Sequence, residues 1–187
     1  MKKISILISS LFIFQLPAYS LSISDRLKKG EVLIEDNVSK EAKSGSVKMS
    51  FVVDAPTEKV WKLLINYDKW TAFMDDLEKI EIKESKETYA IVYVKAKAPL
   101  GMDIHYTLKR NYEKSNYKIT WSMLEGKAKE VEGSWQIFPI NSNSCKLVYT
   151  NYVDIGYMVP VKVVNLLTRN KLPNLANNIR KFLKNNK

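Results

Sequence analysis

Between Leu77 and Asp154 the chain alternates apolar and polar residues in six runs: Leu77–Glu84, Tyr89–Lys97, Met102–Tyr112, Tyr117–Leu124, Lys129–Phe138 and Lys146–Asp154. Alternation of this period places successive side chains on opposite faces of a strand. The breaks fall at Ser85-Lys86, Pro99-Leu100-Gly101, Lys114-Ser115-Asn116, Glu125-Gly126 and Asn141 to Ser144. None is long enough for a crossover helix, so successive strands pair as antiparallel hairpins. An earlier run, Val47–Asp54, follows a predicted turn at Ser44-Gly45-Ser46 and brings the sheet to seven strands. Before it, residues 21–45 are charged and weakly patterned, and a short alternation from Glu31 to Glu35 reads as a lead-in strand or a loosely held arm. Cys145 falls in an alternating run, which predicts a buried, inert thiol, and a single cysteine cannot close an internal disulfide.

Helical spacing appears twice. Ala55-Pro56-Thr57-Glu58 opens a helix, with proline and an acidic residue where the free amides and the positive helix end favour them. Val60, Leu63, Leu64 and Tyr67 follow with Trp61 beside them, and a second short helical turn from Tyr67 to Met74 carries Trp70, Phe73 and Met74. The last element opens at Pro160 and repeats apolar residues at Val163, Val164, Leu166, Leu167, Leu172, Leu175, Ile179, Phe182 and Leu183. Pro173 inside it predicts a kink or break. The layout predicts an α+β helix-grip fold: a curved seven-stranded antiparallel sheet around a long C-terminal helix, with two short helices after the first core strand. A curved sheet and a helix need not touch along their whole length. The gap is an apolar cavity opening near the short helices.

The N-terminus adds a compartment. Lys2 and Lys3 precede an apolar run from Ile4 to Leu16, and small residues stand at Ala18 and Ser20. This is the pattern of a secretory signal cleaved after Ser20. The run is shorter than the about 20 residues needed to span a bilayer. The expected organisation is a signal peptide at 1–20, a lead-in segment at 21–45 and one domain over 46–187, periplasmic or secreted. The net charge of +10 falls by two when Lys2 and Lys3 are removed, and the lysines are scattered except near the C-terminus. Lys162, Arg169, Lys171, Arg180, Lys181, Lys184 and Lys187 give the final helix a basic face, either solvated or suited to transient contact with anionic membrane. Nucleic acid is not an expected partner.

Catalytic motifs are missing. There is no phosphate-binding glycine loop, nucleophile elbow, cysteine cluster or His-Glu-x-x-His helix, and one histidine with one cysteine leaves no metal site or cofactor to expect. Asp103 and His105 share a strand face, so a carboxylate could orient the imidazole for proton transfer if that face lined the cavity. The alternation instead favours Met102, Ile104, Tyr106 and Leu108 as the inward row. The aromatic and methionine residues are the better cavity candidates: Trp70, Phe73, Met74, Tyr93, Tyr106, Trp121, Met123, Trp135 and Tyr149, with Val163 and Leu167 from the final helix. Burying one methylene contributes about 0.8 kcal/mol, so an apolar lining offers a chain of about fourteen carbons roughly 11 kcal/mol before the costs of ordering and association.

Several stretches also resemble a known family. Val53-Asp54-Ala55-Pro56-Thr57-Glu58-Lys59-Val60-Trp61-Lys62-Leu63-Leu64, then Tyr67-Asp68-Lys69-Trp70 and Phe73-Met74, are similar to the opening signature of the polyketide cyclase and coenzyme Q-binding branch of the START-like (SRPBCC) superfamily. Gly133-Ser134-Trp135-Gln136-Ile137, Tyr157-Met158-Val159-Pro160, and Leu172-Pro173 with Leu175 resemble its later pieces. Where the family usually has proline after Phe-Met, this chain has Asp75-Asp76, which bears on the loop at the cavity mouth. The resemblance implies a pocket for a hydrophobic ligand such as a lipid, quinone or isoprenoid-like compound, and no universal catalytic residue. The expected function is an exported binding or carrier protein. The alternatives are a cyclase or dehydratase acting in the same cavity, or a protein-protein interaction module.

Overall fold

Burial along β2 (Ser44–Val53) follows the strand period: Met49, Phe51 and Val53 are buried, while Ser46 and Lys48 are exposed. The computed structural model that shows this describes residues 21–38, 43–97, 103–156 and 171–186. The expected leader at 1–20, Val163, Leu167 and the opening of the last helix lie outside the described residues, as does the side chain of Asp103.

After β2 comes α2 (Thr57–Ile65), begun by Pro56 at the cap position, whose carbonyl accepts hydrogen bonds from the Lys59 and Val60 amides at 3.0 and 3.2 Å. The helix buries Val60, Trp61, Leu63 and Leu64. A 3-10 helix, Tyr67–Ala72, then buries Tyr67 and Trp70, and Phe73 follows in the core. The meander is β3 (Leu77–Ser85), β4 (Tyr89–Lys97), β5 (Asp103–Glu113), β6 (Lys118–Gly126), β7 (Glu130–Asn141) and β8 (Ser144–Asp154). Every step pairs antiparallel, and β8 returns to β2. With a first strand β1 (Leu33–Val38) at one edge, the sheet order is β1-β2-β8-β7-β6-β5-β4-β3. Thus α2 and the 3-10 helix carry the chain from β2 to the far edge.

The sheet has eight strands, not the expected seven. The added strand is β1 (Leu33–Val38), which pairs with β2 from Leu33 opposite Ser50 to Val38 opposite Gly45. A short helix, α1 (Ile23–Lys28), precedes it and buries Leu27. The predicted turn at Ser44-Gly45-Ser46 is corrected as well: Ser44 and Gly45 already belong to β2, held by β8 on one side while β1 takes Gly45 and Ser46 on the other. Two neighbouring strands outweigh the local turn preference of serine and glycine.

The described part of the C-terminal helix, α3 (Leu172–Asn185), buries Ala176, Ile179 and Leu183. Pro173 is the second residue of this described part and follows Lys171, whose backbone is already in the helical region. Phe182 meets Phe73 edge-on at 6.0 Å between ring centroids, and Lys59 Nζ donates to the Leu183 and Asn186 carbonyls at 3.2 and 2.5 Å. Of the basic residues expected on its face, Lys162, Arg169 and Lys187 lie outside the described residues. Arg180 is half-buried, donates from Nε to the Val52 carbonyl at 2.9 Å and lies over Phe51, while Lys171 pairs with Asp76 at 2.5 Å. Lys181 and Lys184 remain exposed. Among the described residues no helix is long and apolar enough to cross a membrane.

Candidate functional site

The strand period and the register together decide which side chains meet on the inner face. Ala90, Arg110, Trp121, Gly133 and Asn151 are successive partners across β4 to β8, and the next inner row runs Tyr112, Ile119, Trp135, Tyr149 and Met49. Gly133 leaves room in the first row. A Cβ there would lie 2.5 Å from Trp121 Cζ2, so the indole lies across the glycine and donates from Nε1 to Asn151 Oδ1 at 3.2 Å. Tyr149 packs on Trp121 and Trp135 with centroids 5.7 and 4.7 Å apart, and Trp135 meets Phe51 edge-on.

Into this aromatic surface β5 projects a charge. Arg110 is 1% exposed, the largest of the fully buried side chains. Its guanidinium lies 4.4 Å from the Trp70 ring, 5.3 Å from Tyr67 and 5.5 Å from Trp121, and Nη1 donates to the Leu64 carbonyl at 3.3 Å. The helical residues of this box come from α2 and the 3-10 helix, so the aromatic-rich segment after β2 roofs the sheet at Arg110. Tyr67 and Tyr112 share a 2.5 Å hydroxyl contact beside it, and Trp70 Nε1 is buried without a partner.

Further along the same face the surroundings open. Tyr106, Met123 and Tyr149 keep part of their surface accessible. Loss of hydration nevertheless raises the Tyr106 and Tyr149 hydroxyls above the usual phenol range. Burial, reinforced by the bond to Tyr67, raises Tyr112 in the same way. These phenols are neutral at ordinary pH, and can donate or accept hydrogen bonds without contributing charge.

The structure brings together most of the residues the sequence singles out. Tyr106, Trp121, Met123, Trp135 and Tyr149 are on the inner face, with Trp70, Phe73 and Met74 at the helical end. Tyr93 is the exception, and its expected place in the lining is corrected. Ala90, Val92 and Val94 are the buried row of β4, so Tyr93 faces outward, where its ring meets His105 at 6.1 Å and Lys83 at 5.6 Å. His105 is therefore on the face opposite Tyr106, Leu108 and Arg110. Arg110, Tyr67, Tyr112 and Asn151 are the site residues that sequence reasoning passed over. Their signal was present, since Arg110 and Tyr112 continue the inward row of Ile104, Tyr106 and Leu108.

Two other features are chemically different. A trough of about 480 Å³ lies against β1, β2, β7 and β8, lined by Glu35, Lys48, Glu132, Thr150 and Tyr152 among others. It is open, most of its side chains are charged or polar, and a Lys48–Glu35 ion pair of 3.0 Å sits in it, so it does not suit an apolar guest. Among the described residues no group of histidine, cysteine or acidic side chains could hold a metal ion.

Residues 53–180 match the family described as polyketide cyclase / dehydrase and lipid transport. Three solved structures share the fold. A STAR-related lipid transfer protein fragment from Xanthomonas axonopodis is 16% identical with a TM-score of 0.67, covering 82% of this chain and 93% of its own. Human StAR-related lipid transfer protein 5 is 15% identical with a TM-score of 0.65 over 83% of each chain. The Zhui aromatase/cyclase of a Streptomyces strain is 16% identical with a TM-score of 0.63, over 82% of this chain and 94% of that one. At such identities the likeness shows the fold alone. Comparison with curated protein sequences finds no match.

Proposed function

The chain belongs to the polyketide cyclase / dehydrase and lipid transport family, and on that premise we propose that it binds or carries a hydrophobic molecule, a lipid, quinone or isoprenoid-type compound, along the inner face of the sheet. The observation that carries this reading is the pairing of accessibility with desolvation at Tyr106 and Tyr149 beside the flexible Met123. Apolar side-chain surface left accessible beside dehydrated hydroxyls is favourable to cover with the apolar groups of a guest. The test is saturable binding of a neutral apolar dye such as Nile red to the purified protein. One site per chain is expected, lost when Met123→Trp fills the space in a variant that keeps the native circular dichroism. A Met123→Trp variant that binds the dye as before would contradict the reading.

Export completes the proposal. The basic, apolar and small-residue order of residues 1–20 supports a cleaved leader, and N-terminal sequencing of protein from its source should begin at Leu21. Lys181 and Lys184, exposed on α3, support transient contact with anionic membrane, worth about 1 kcal/mol per basic residue at the surface. A cyclase or dehydratase built on Asp103 and His105 has less in its favour, because the imidazole packs on Tyr93 away from the inner face. A carrier keeps ligand binding in His105→Ala.

A further inference from the structure

We infer that the end of the molecule carrying the β7–β8 hairpin is a membrane-docking surface, in which Phe138 and Ile140 enter the interface of an anionic bilayer and the lysines around them meet its head groups. The inference is independent of the binding proposed for the inner face. It deepens the membrane contact proposed for α3 by naming the side chains that enter the bilayer.

The strand period sets the tip apart. Val131, Trp135 and Ile137 are the buried row of β7, and Phe138 and Ile140 fall outside it, 42% and 48% exposed. The Ile137 amide donates to the Tyr117 carbonyl at 3.1 Å, and beyond it β7 has no partner on the β6 side among the described residues. The hairpin therefore projects past its neighbour, ending in the exposed polar turn Asn141-Ser142-Asn143. Lys146, opposite Phe138 on β8, places Nζ 4.5 Å from the Phe138 ring centroid. An aromatic and a branched aliphatic side chain with a lysine against the ring suit the boundary between head groups and acyl chains. Two such side chains are too little for the apolar core of a stable protein interface, which buries about 800 Å² per partner, whereas a bilayer accepts shallow insertion of single residues.

Charge at this end points the same way. Cys145 Sγ donates to the Ala55 carbonyl and ties the hairpin to the start of α2, where Lys59 donates to the Leu183 and Asn186 carbonyls at the end of α3. The acidic groups nearby are engaged: Glu58 by Lys114, Glu113 by the Asn116 amide at 3.5 Å, and Asp54 by the field of Arg180. Among the described residues no carboxylate pairs with Lys118, Lys146 or Lys184. Unpaired cations around an apolar tip complement a negatively charged surface. At about 3.3 Å per residue along β5, Tyr106 is about 23 Å from Glu113 at this end, so docking here leaves the proposed guest region clear.

The test is flotation of the protein recovered from its own source with vesicles of phosphatidylcholine alone and of phosphatidylcholine mixed with phosphatidylglycerol. Binding to the anionic vesicles is expected to be about tenfold tighter or more, and the double variant Phe138→Ser, Ile140→Ser should weaken it about tenfold while the native circular dichroism stays. Comparison with the variant cancels whatever residues 1–20 contribute. A fluorescent NBD label on Ser142→Cys, which the buried Cys145 leaves as the one reactive thiol among the described residues, should shift to the blue on anionic vesicles. Equal binding to both vesicles, unchanged binding by the double variant, or a label that stays in water each overturns the inference. Binding lost in Lys184→Glu but untouched by the double variant assigns the contact to α3 alone and overturns it too. Docking through the tip by a protein that takes up no Nile red leaves the inference standing and overturns the proposed binding function. The label decides the matter even where the double variant does not fold.

Discussion

Gly133 sits where a methyl group has no room, with Trp121 Cζ2 2.5 Å from a Cβ position and the Thr150 carbonyl closer still. The second obstacle is backbone, so relief requires strand β7 to shift. Gly133→Ala should therefore cost about 1–3 kcal/mol in urea unfolding and displace the Trp121 indole from Asn151, visible as a change in tryptophan emission. Cys145 makes a prediction of opposite character. Its Sγ donates to the Ala55 carbonyl at 3.5 Å, and burial pushes the thiol up to about 12 from 9.0. The folded state binds the proton more tightly than the unfolded chain. The thiol's contribution to stability is thus complete below pH 9 and is lost as the pH rises from 9 toward 12. Iodoacetamide at pH 8 should leave the folded protein unmodified and label it once unfolded, as read by intact mass. These single-residue facts also show what the sequence discloses. Alternation assigns Tyr106 and Trp121 to one face because each is flanked by polar residues. It fails at Tyr93, where Ile91 and Tyr93 compete with Ala90, Val92 and Val94 and ring size favours the wrong row. Ala90 is inward because its partner across the strands is Arg110, and a small residue leaves space for the arginine. Arg110 itself was passed over because charged residues are ordinarily outside, although its parity placed it inside.

At the scale of elements, α3 and β1 hold the sheet from two sides and differ in how visible they were. The apolar spacing of Leu172, Leu175, Ile179, Phe182 and Leu183 gave α3 plainly. Ile179 is 0% exposed, so Ile179→Ala should cost about 2–5 kcal/mol, whereas Lys181→Ala, exposed two residues on, should stay within about 0.5 kcal/mol. Thermal or urea denaturation of the pair separates packing from helix propensity. The strand β1 left a weaker trace, because Leu33–Val38 contains Glu35, Asp36 and Asn37, residues that rarely favour strands. It is held by its ladder to β2 and by an ion pair from Glu35 to Lys48. At the start of α1, Ser22 Oγ accepts from the Asp25 amide at 3.1 Å and donates to the Asp25 carboxylate at 2.7 Å, a serine cap that no sequence pattern had singled out. Removing residues 21–38 should uncover the edge of β2, and the shortened protein should self-associate on size exclusion while the full chain does not through that edge.

For the whole molecule, the layout of strands and helices was legible because each segment has one dominant period, and the family pieces fall in the order that the fold requires. The site was legible only in its apolar part. Polar residues that serve an interior, such as Arg110, Tyr112 and Asn151, look in sequence like those that serve a surface, and the register across strands is what brings them together. The inner face of the sheet is proposed to hold a hydrophobic guest. Native mass spectrometry of the protein purified from its own source, followed by solvent extraction of the same sample, tests it most directly. One bound molecule per chain is expected, released into the organic phase with a long apolar portion. A protein recovered consistently at its bare mass, with nothing extracted and no uptake of added lipid, would contradict it.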